Sequence, residues 1–146
     1  MKALFASLTL CLLAGVAHAQ STPVGLWKTI DDDGKTEKAL VRIFEDGGTL
    51  FGKVENIFND QDRAKNCDKC SDERKGQPVL GMVIMRNLHK DAGDEALWSG
   101  GDILDAEKGE IYKTRMRVVD GGKHLEVRGY IGVPLLGRTQ TWVRVE

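Results

Sequence analysis

Hydrophobic and polar residues alternate along most of the chain beyond its first nineteen residues. This period of two, in segments rich in β-branched and aromatic residues, is typical of β-strands that bury one face. We expect about eight strands from the number of such segments. They are predicted at Val24–Ile30, Lys38–Glu45, Thr49–Phe58, Val79–Leu88, Ala96–Ser99, Glu110–Asp120, His124–Ile131 and Arg138–Val145.

Short turns rich in Gly and Asp separate most of these strands, as at Asp31–Lys35, Asp46–Gly48 and Asp120–Gly122. Such residues tolerate the backbone conformations of tight hairpins. Because no amphipathic helix of normal length is evident, the helical crossovers of a parallel sheet are missing. The pattern predicts an all-β, antiparallel up-and-down β-barrel, with a β-sandwich as the alternative.

The first nineteen residues have the organisation of an export signal. Lys2 precedes an apolar run at Leu4–Val16, and Ala17-His18-Ala19 matches the small-x-small pattern of a cleavage site. The run is shorter than the roughly 20 apolar residues of a membrane span, and no later segment is as apolar. We therefore predict a signal peptide at 1–19 and a single domain at 20–146, exported to the periplasm or secreted, with no transmembrane span.

The charge balance bears on the partners. Without Lys2, the chain carries 20 basic and 22 acidic side chains, a net charge of −2. These charges are interspersed along the sequence, so they indicate neither a nucleic acid nor a strongly anionic membrane surface as a partner.

One charged segment, residues 59–78, interrupts the alternation. It is expected to be a long loop without regular structure, which in a compact domain is commonly functional or disordered. Cys67 and Cys70 lie within it, and their C-x-x-C spacing fits half of a zinc site, a redox pair or a local disulfide. Export favours the disulfide, because disulfides persist outside the cytosol. Neither a metal site nor a bound cofactor is expected.

Aromatic and basic residues near the two ends of the domain suggest how the barrel closes. Trp27 lies in the first strand, while Trp142 and Arg144 share one face of the last. First and last strands are neighbours in a closed barrel, so Arg144 is expected to cover Trp27 through a cation–π contact at the barrel bottom.

The last three strands share a basic face. If this face points outward it is an ordinary solvated surface, and if it points inward it supplies cations to the lumen for an acidic headgroup. We expect the outward arrangement. The face comprises Lys113, Arg115, Arg117, Arg128 and Arg138, with Glu126 and Gln140 among them.

Longer sequence strings resemble one bacterial family. They are Gly25-Leu26-Trp27, Cys67-x-x-Cys70, Trp98 to Asp105 with Gly109 and Tyr112, Arg128 to Gly132, and Leu136 to Arg144. Together they resemble the exported bacterial proteins grouped as domain of unknown function 2147. The resemblance implies an exported, lipocalin-like barrel and supplies no reaction. Ala106 departs from the family pattern, which has proline there, and this affects the rigidity of one turn.

The leading functional hypothesis is a non-enzymatic binding module. A small apolar or lipid-like ligand would lie in the barrel mouth beside Trp98, Tyr112, Tyr130 and Arg128, since an eight-stranded barrel either fills its interior or holds one small ligand. One alternative is a cell-envelope protein that docks a partner through loop 59–78. The other is a thiol–disulfide enzyme that uses Cys67 and Cys70.

Overall fold

The structure, a computed structural model, describes residues 22–146, so the predicted signal peptide lies outside the described residues. Eight antiparallel strands follow one another around a closed barrel, and the last pairs with the first. The predicted up-and-down barrel is therefore confirmed, and closure excludes the sandwich. The strands are β1 (Gly25–Ile30), β2 (Glu37–Asp46), β3 (Thr49–Ile57), β4 (Val83–Lys90), β5 (Leu97–Asp105), β6 (Glu110–Val119), β7 (His124–Tyr130) and β8 (Arg138–Arg144).

Because neighbouring strands are antiparallel, the connections divide between the two barrel ends. One end, here called the base, carries the start of β1 and the end of β8. The other end is called the mouth. It carries the β1–β2 turn, the β3–β4 connection (58–82), the β5–β6 turn and the β7–β8 loop (131–137).

Two strand boundaries differ from the predicted ones by four residues or more. β4 begins at Val83 instead of Val79, because Val79 packs beside the cysteines. β5 continues to Asp105 instead of ending at Ser99, because a β-bulge between Trp98 and Gly101 breaks the alternation without ending the strand. A Cβ atom on Gly101 would lie 2.3 Å from the carbonyl oxygen of Arg86, so this glycine permits close strand pairing.

A cluster of buried apolar side chains fills most of the lumen from the base upward. Both tryptophans at the base are almost completely buried, at 0% exposed for Trp27 and 2% for Trp142. Burial of this apolar surface is the main source of stability for a barrel of this size. The cluster consists of Trp27, Val41, Ile43, Leu50, Val54, Ile57, Met85, Leu88, Met116, Leu125, Val127 and Trp142.

The β3–β4 connection is not the structureless loop that the sequence predicts. A short helix, α1 (Asp60–Arg63), opens it, and a β-bridge joins Asn66 to Pro78. Its apolar side chains form a second cluster, and strand alternation places Leu104 of that cluster on the outer wall of β5. Docking against the wall, which local sequence does not reveal, orders this loop. The cluster comprises Cys67, Cys70, Met82 and Leu104.

Among residues 22–146, none of the helices is of the length and apolarity needed to cross a membrane.

Candidate functional site at the barrel mouth

β1 and β8 contact each other at the base through Trp27 and Arg144. The guanidinium carbon of Arg144 lies 4.1 Å from the centroid of the Trp27 ring, and the two residues are register partners. The Trp27 indole N–H donates to the carbonyl of Pro23 at 2.7 Å. The sequence placed this cation–π contact correctly, while its role in closing the barrel stays a prediction.

Arg144 also joins the segment before β1 to the β6–β7 turn at the base. Its guanidinium donates to the backbone carbonyls of Gly122, Val24 and Thr22. Burial lowers the pKa of this guanidinium from its ordinary value, because burial disfavours the charged form. The carbonyl oxygens and the Trp27 ring face then compensate the charge.

Towards the mouth, on the side of β5 to β8, the inward-facing residues are less buried than in the core. Ile103 and Tyr112 are register partners that face the lumen and are only half-buried. A Cβ atom built on Gly129 would lie 3.6 Å from the Tyr112 Cβ and 3.8 Å from the Ile103 Cγ2. A side chain at Gly129 would therefore contact both residues, and we call the part of the lumen bounded by Ile103, Tyr112 and Gly129 the mouth cup.

Polar groups form one rim of the mouth cup. The Gln140 side-chain amide donates to Asp32, and its carbonyl accepts a hydrogen bond from the Trp142 indole. Arg138 forms an ion pair with Asp32, with a 2.8 Å separation between nitrogen and oxygen. These contacts fix a cation and an amide at the edge of an apolar cup, an arrangement that suits a ligand with a polar end.

The Tyr112 hydroxyl donates to the carboxylate of Glu110 at the same rim. This hydrogen bond raises the pKa of Tyr112, because it stabilises the protonated phenol beside a negative charge. Tyr112 therefore presents a neutral ring to the cup at physiological pH.

The four predicted ligand residues do not converge on one site. Tyr112 lines the mouth cup, whereas Trp98 pairs with Met116 near the base, four residues along β6 and roughly 13 Å away at the usual strand rise. Strand alternation puts Tyr130 and Arg128 on the outer wall, because the inward positions of β7 are Leu125 and Val127. The bulge in β5 and the register of β7 decide these directions, and neither is evident from the sequence.

The basic face of β6 and β7 points outward, as expected. The expectation was wrong for Arg138 and Gln140 of β8, because the register of β8 puts both on the inward face with Trp142. Arg117 forms an ion pair with Asp94, which raises the pKa of Arg117. Glu126 stands opposite Arg117 in the register and Arg128 opposite Arg115. The lumen therefore receives no cations from these β6 and β7 positions.

Sequence analysis missed an apolar surface at the mouth, the β7–β8 loop (131–137). No residue of Ile131-Gly132-Val133-Pro134-Leu135-Leu136-Gly137 has a polar side chain, and that run was the available signal. Leu135 is 86% exposed, Leu136 75%, Ile131 68% and Val133 53%. A contiguous apolar surface of this kind typically marks an interaction site.

Arg128 supports this loop from the outer wall. Its guanidinium donates four hydrogen bonds, three of them to the loop carbonyls of Pro134, Leu135 and Gly137 and one to the Thr139 hydroxyl. Arg128 therefore acts as a positioning residue for the loop and has at most one N–H left for other partners.

Cys67 and Cys70 lie at disulfide distance, with their Cα atoms 5.4 Å apart. They are 0% and 1% exposed. A catalytic thiolate must be accessible and sits typically at a helix N-terminus or beside a cation. Burial beneath the β3–β4 connection offers neither condition, so this geometry does not support the redox enzyme. Within residues 22–146, no cluster of His, Cys, Asp or Glu side chains has the arrangement of a metal site.

Arg74 anchors the same connection. It is 4% exposed and donates to the Asp72 carboxylate and to the Val83 carbonyl. The Arg74 guanidinium lowers the pKa of Asp72 by hydrogen bonding to its charged form. The hydrogen bond from Arg74 to the Val83 carbonyl thus fixes the connection to β4, in addition to its apolar cluster.

Eight antiparallel strands in sequence order around a closed barrel, with the Arg144 guanidinium over the Trp27 ring at the base, define a lipocalin-like barrel. The chain belongs to the family described as "Uncharacterized protein conserved in bacteria (DUF2147)", whose model matches residues 25–144. The resemblance found in the sequence is therefore confirmed.

A solved structure supports the fold. The barrel is similar to protein HP1028 from the human pathogen Helicobacter pylori, which is described as belonging to the lipocalin family. The TM-score is 0.72 at 22% sequence identity, over 84% of this chain and 82% of that one. This likeness concerns the fold alone. A search of curated proteins found no match.

Proposed function

We propose that the protein is a non-enzymatic binding module that holds a small apolar or lipid-like ligand in the mouth cup. The observation that carries this proposal is the half-buried pair Ile103 and Tyr112 beside Gly129, above a lumen that is otherwise filled. Inward-facing apolar side chains in contact with solvent are what an apolar ligand would cover.

The geometry also limits the ligand. One inward-facing row, that of Tyr112, lies between the buried row of Thr114 and the rim at Glu110, four residues along β6, so the cup is roughly 13 Å deep along the strand. Only one short apolar segment fits, and any longer chain must continue out of the mouth. The Arg138 guanidinium and the Gln140 amide at the rim favour a ligand whose polar group stays at the edge.

Tryptophan fluorescence provides the test. The chain from Gln20 onward is titrated with fatty acids and with isoprenoid alcohols of increasing length. Gly129→Leu is expected to weaken binding at least tenfold, because the new side chain occupies the cup beside Tyr112. Gly93→Leu is the matched control, since Gly93 lies in the exposed β4–β5 turn at the base.

Two results would contradict the proposal: no fluorescence change with any ligand, or equal binding by Gly129→Leu protein that still melts cooperatively. Docking of an envelope protein on residues 59–78 stays a prediction. Cys67, Cys70 and Arg74 of that segment are buried, so a docking partner would contact its exposed charged side chains.

A further inference from the structure

We propose that the β7–β8 loop (131–137) docks the barrel on a lipid bilayer that contains anionic headgroups. This surface lies outside the mouth cup and does not depend on the ligand proposed there. Its four exposed apolar side chains lie at the edge of the mouth. Two of them, Ile131 and Leu135, are 68% and 86% exposed. Water contact with such side chains is unfavourable, so an apolar environment should cover them.

The loop is presented in a defined conformation. The guanidinium of Arg128 holds three loop carbonyls, and a 3-10 turn at Pro134–Leu136 shapes the tip. Because the backbone is already ordered, insertion into a bilayer interface loses little conformational entropy at this loop.

The residues beside the loop have the order expected of an interfacial anchor. Tyr130 lies on the outer wall at the foot of the loop, opposite Lys113 in the register, and Arg115 follows two residues further from the mouth. Tyrosine favours the headgroup level of a bilayer, and lysine and arginine reach towards lipid phosphates. From the mouth downward, the apolar loop comes first, the Tyr130 ring second, and the cations Lys113 and Arg115 at and below the level of Tyr130. This is the order in which a bilayer presents its apolar interior and its headgroups.

Lys113 and Arg115 are available for such contacts. They take part in none of the ion pairs formed within residues 22–146, whereas neighbouring Arg117 is paired with Asp94. Arg115 and Leu135 also line one shallow groove on the outer wall, so a phosphate at Arg115 would lie beside the apolar tip. The net charge of the chain, which is slightly negative, does not reveal that positive and apolar surface lie side by side here.

A protein partner fits this surface less well. A stable protein interface involves about 20–30 residues on each side, and a seven-residue loop falls well short of that. The acidic β1–β2 turn, with Asp31 and Asp33, lies on the other flank of the loop, beyond β8. The barrel would therefore lean towards a bilayer on its β6–β7 wall, away from these carboxylates.

Vesicle flotation tests the proposal with the chain from Gln20 onward, which contains the whole closed barrel. We expect binding to vesicles of phosphatidylcholine with phosphatidylglycerol, and at least fivefold weaker binding to phosphatidylcholine alone. The double variant Leu135→Ser/Leu136→Ser should lose at least tenfold in partitioning. Lys113→Gln/Arg115→Gln should bind both vesicle types equally weakly.

Matched controls lie at the base of the barrel. Val145→Ser removes an apolar side chain that is 50% exposed, and Lys90→Gln removes an exposed cation, so both should bind as the unchanged protein does. Gly129→Leu should also bind vesicles normally, which separates this proposal from the ligand proposal.

Three results would overturn the proposal. One is the absence of flotation with either vesicle type, and another is unchanged flotation of the Leu135→Ser/Leu136→Ser protein. The third is a discrete dimer in sedimentation analysis that this variant abolishes, because the loop would then be covered by a second copy of the chain.

Discussion

At the residue scale, the Arg144 side chain combines a cation–π contact with three hydrogen bonds at the base of the barrel. One guanidinium covers the Trp27 ring and also donates to the carbonyls of Gly122, Val24 and Thr22. These contacts connect the segment before β1 and the end of β8 to the β6–β7 turn. A shorter or uncharged side chain cannot make all of them, because they require the planar, branched geometry of guanidinium donors.

Arg144→Met is therefore expected to destabilise the barrel by about 2–3 kcal/mol, since it removes a cation–π contact and leaves three carbonyls without this donor. For a domain of this size the melting temperature should fall by about 6–12 °C. Arg144→Lys should recover less than half of the loss. Thermal unfolding followed by circular dichroism measures both changes.

Arg115→Met is the matched control, because Arg115 lies on the outer wall and forms no ion pair within residues 22–146. Its stability should change by less than about 0.5 kcal/mol. Equal effects of the two substitutions would show that Arg144 does not close the base.

Single residues also show which contacts the sequence predicts and which depend on strand register. The contact of Arg144 with Trp27 follows from alternation within one strand and from the neighbourhood of first and last strands. The directions of Trp98 and Tyr112 within the lumen required the bulge in β5, and a shift of one residue reverses a side chain's face. Tyr130 could not be placed correctly without the register of β7.

At the scale of elements, the β3–β4 connection is the main departure from expectation. Its charged residues suggested a loop, yet it buries Cys67, Cys70 and Arg74 against the outer wall. The turn between β5 and β6 approaches it so closely that a Cβ atom on Gly109 would lie 2.0 Å from the Lys69 carbonyl oxygen. This packing joins residues distant in sequence, so local patterns could not predict it.

A disulfide between Cys67 and Cys70 is expected to hold this connection without holding the barrel. Closure of a four-residue loop stabilises a fold by about 2 kcal/mol. We therefore expect Cys67→Ala/Cys70→Ala protein to keep its far-ultraviolet circular dichroism and to melt a few degrees lower. Hydrogen exchange should increase mainly in residues 58–82.

Reduction of the unchanged protein provides the comparison, because it breaks the bond and leaves both sulfur atoms in the cluster. It should increase exchange in residues 58–82 less than the double substitution does. Loss of the whole barrel upon reduction alone would contradict a purely local role.

At the scale of the whole molecule, closure removes every free sheet edge, which protects the barrel from edge-to-edge association. The closing seam is nonetheless short. β1 and β8 share two register pairs, Trp27 with Arg144 and Lys28 with Val143, and backbone hydrogen bonds of Leu26 with Val145 and Glu146 extend the seam at the base. β2 and β3, by contrast, are paired from Ala39 to Asp46. Arg144 is thus placed where neighbouring strands share the fewest register pairs.

The seam should consequently open before the rest of the barrel. Hydrogen exchange measured by mass spectrometry is expected to be fastest, among strand segments, in β1 and β8, because local opening there breaks the fewest backbone hydrogen bonds. β2 and β3 provide the internal comparison and should exchange last. Faster exchange in β2 than in β8 would contradict this order.

The sequence by itself determined the class of fold, the order of strands and the contact at the base. These features depend on alternation within strands and on short turns, which are local properties of the chain. Tertiary structure alone decided how much of the lumen is filled, where residues 58–82 pack, and how Arg128 supports an apolar loop beside unpaired cations. Those outcomes depend on bulges, on strand register and on contacts between distant segments, which become defined only when the barrel closes.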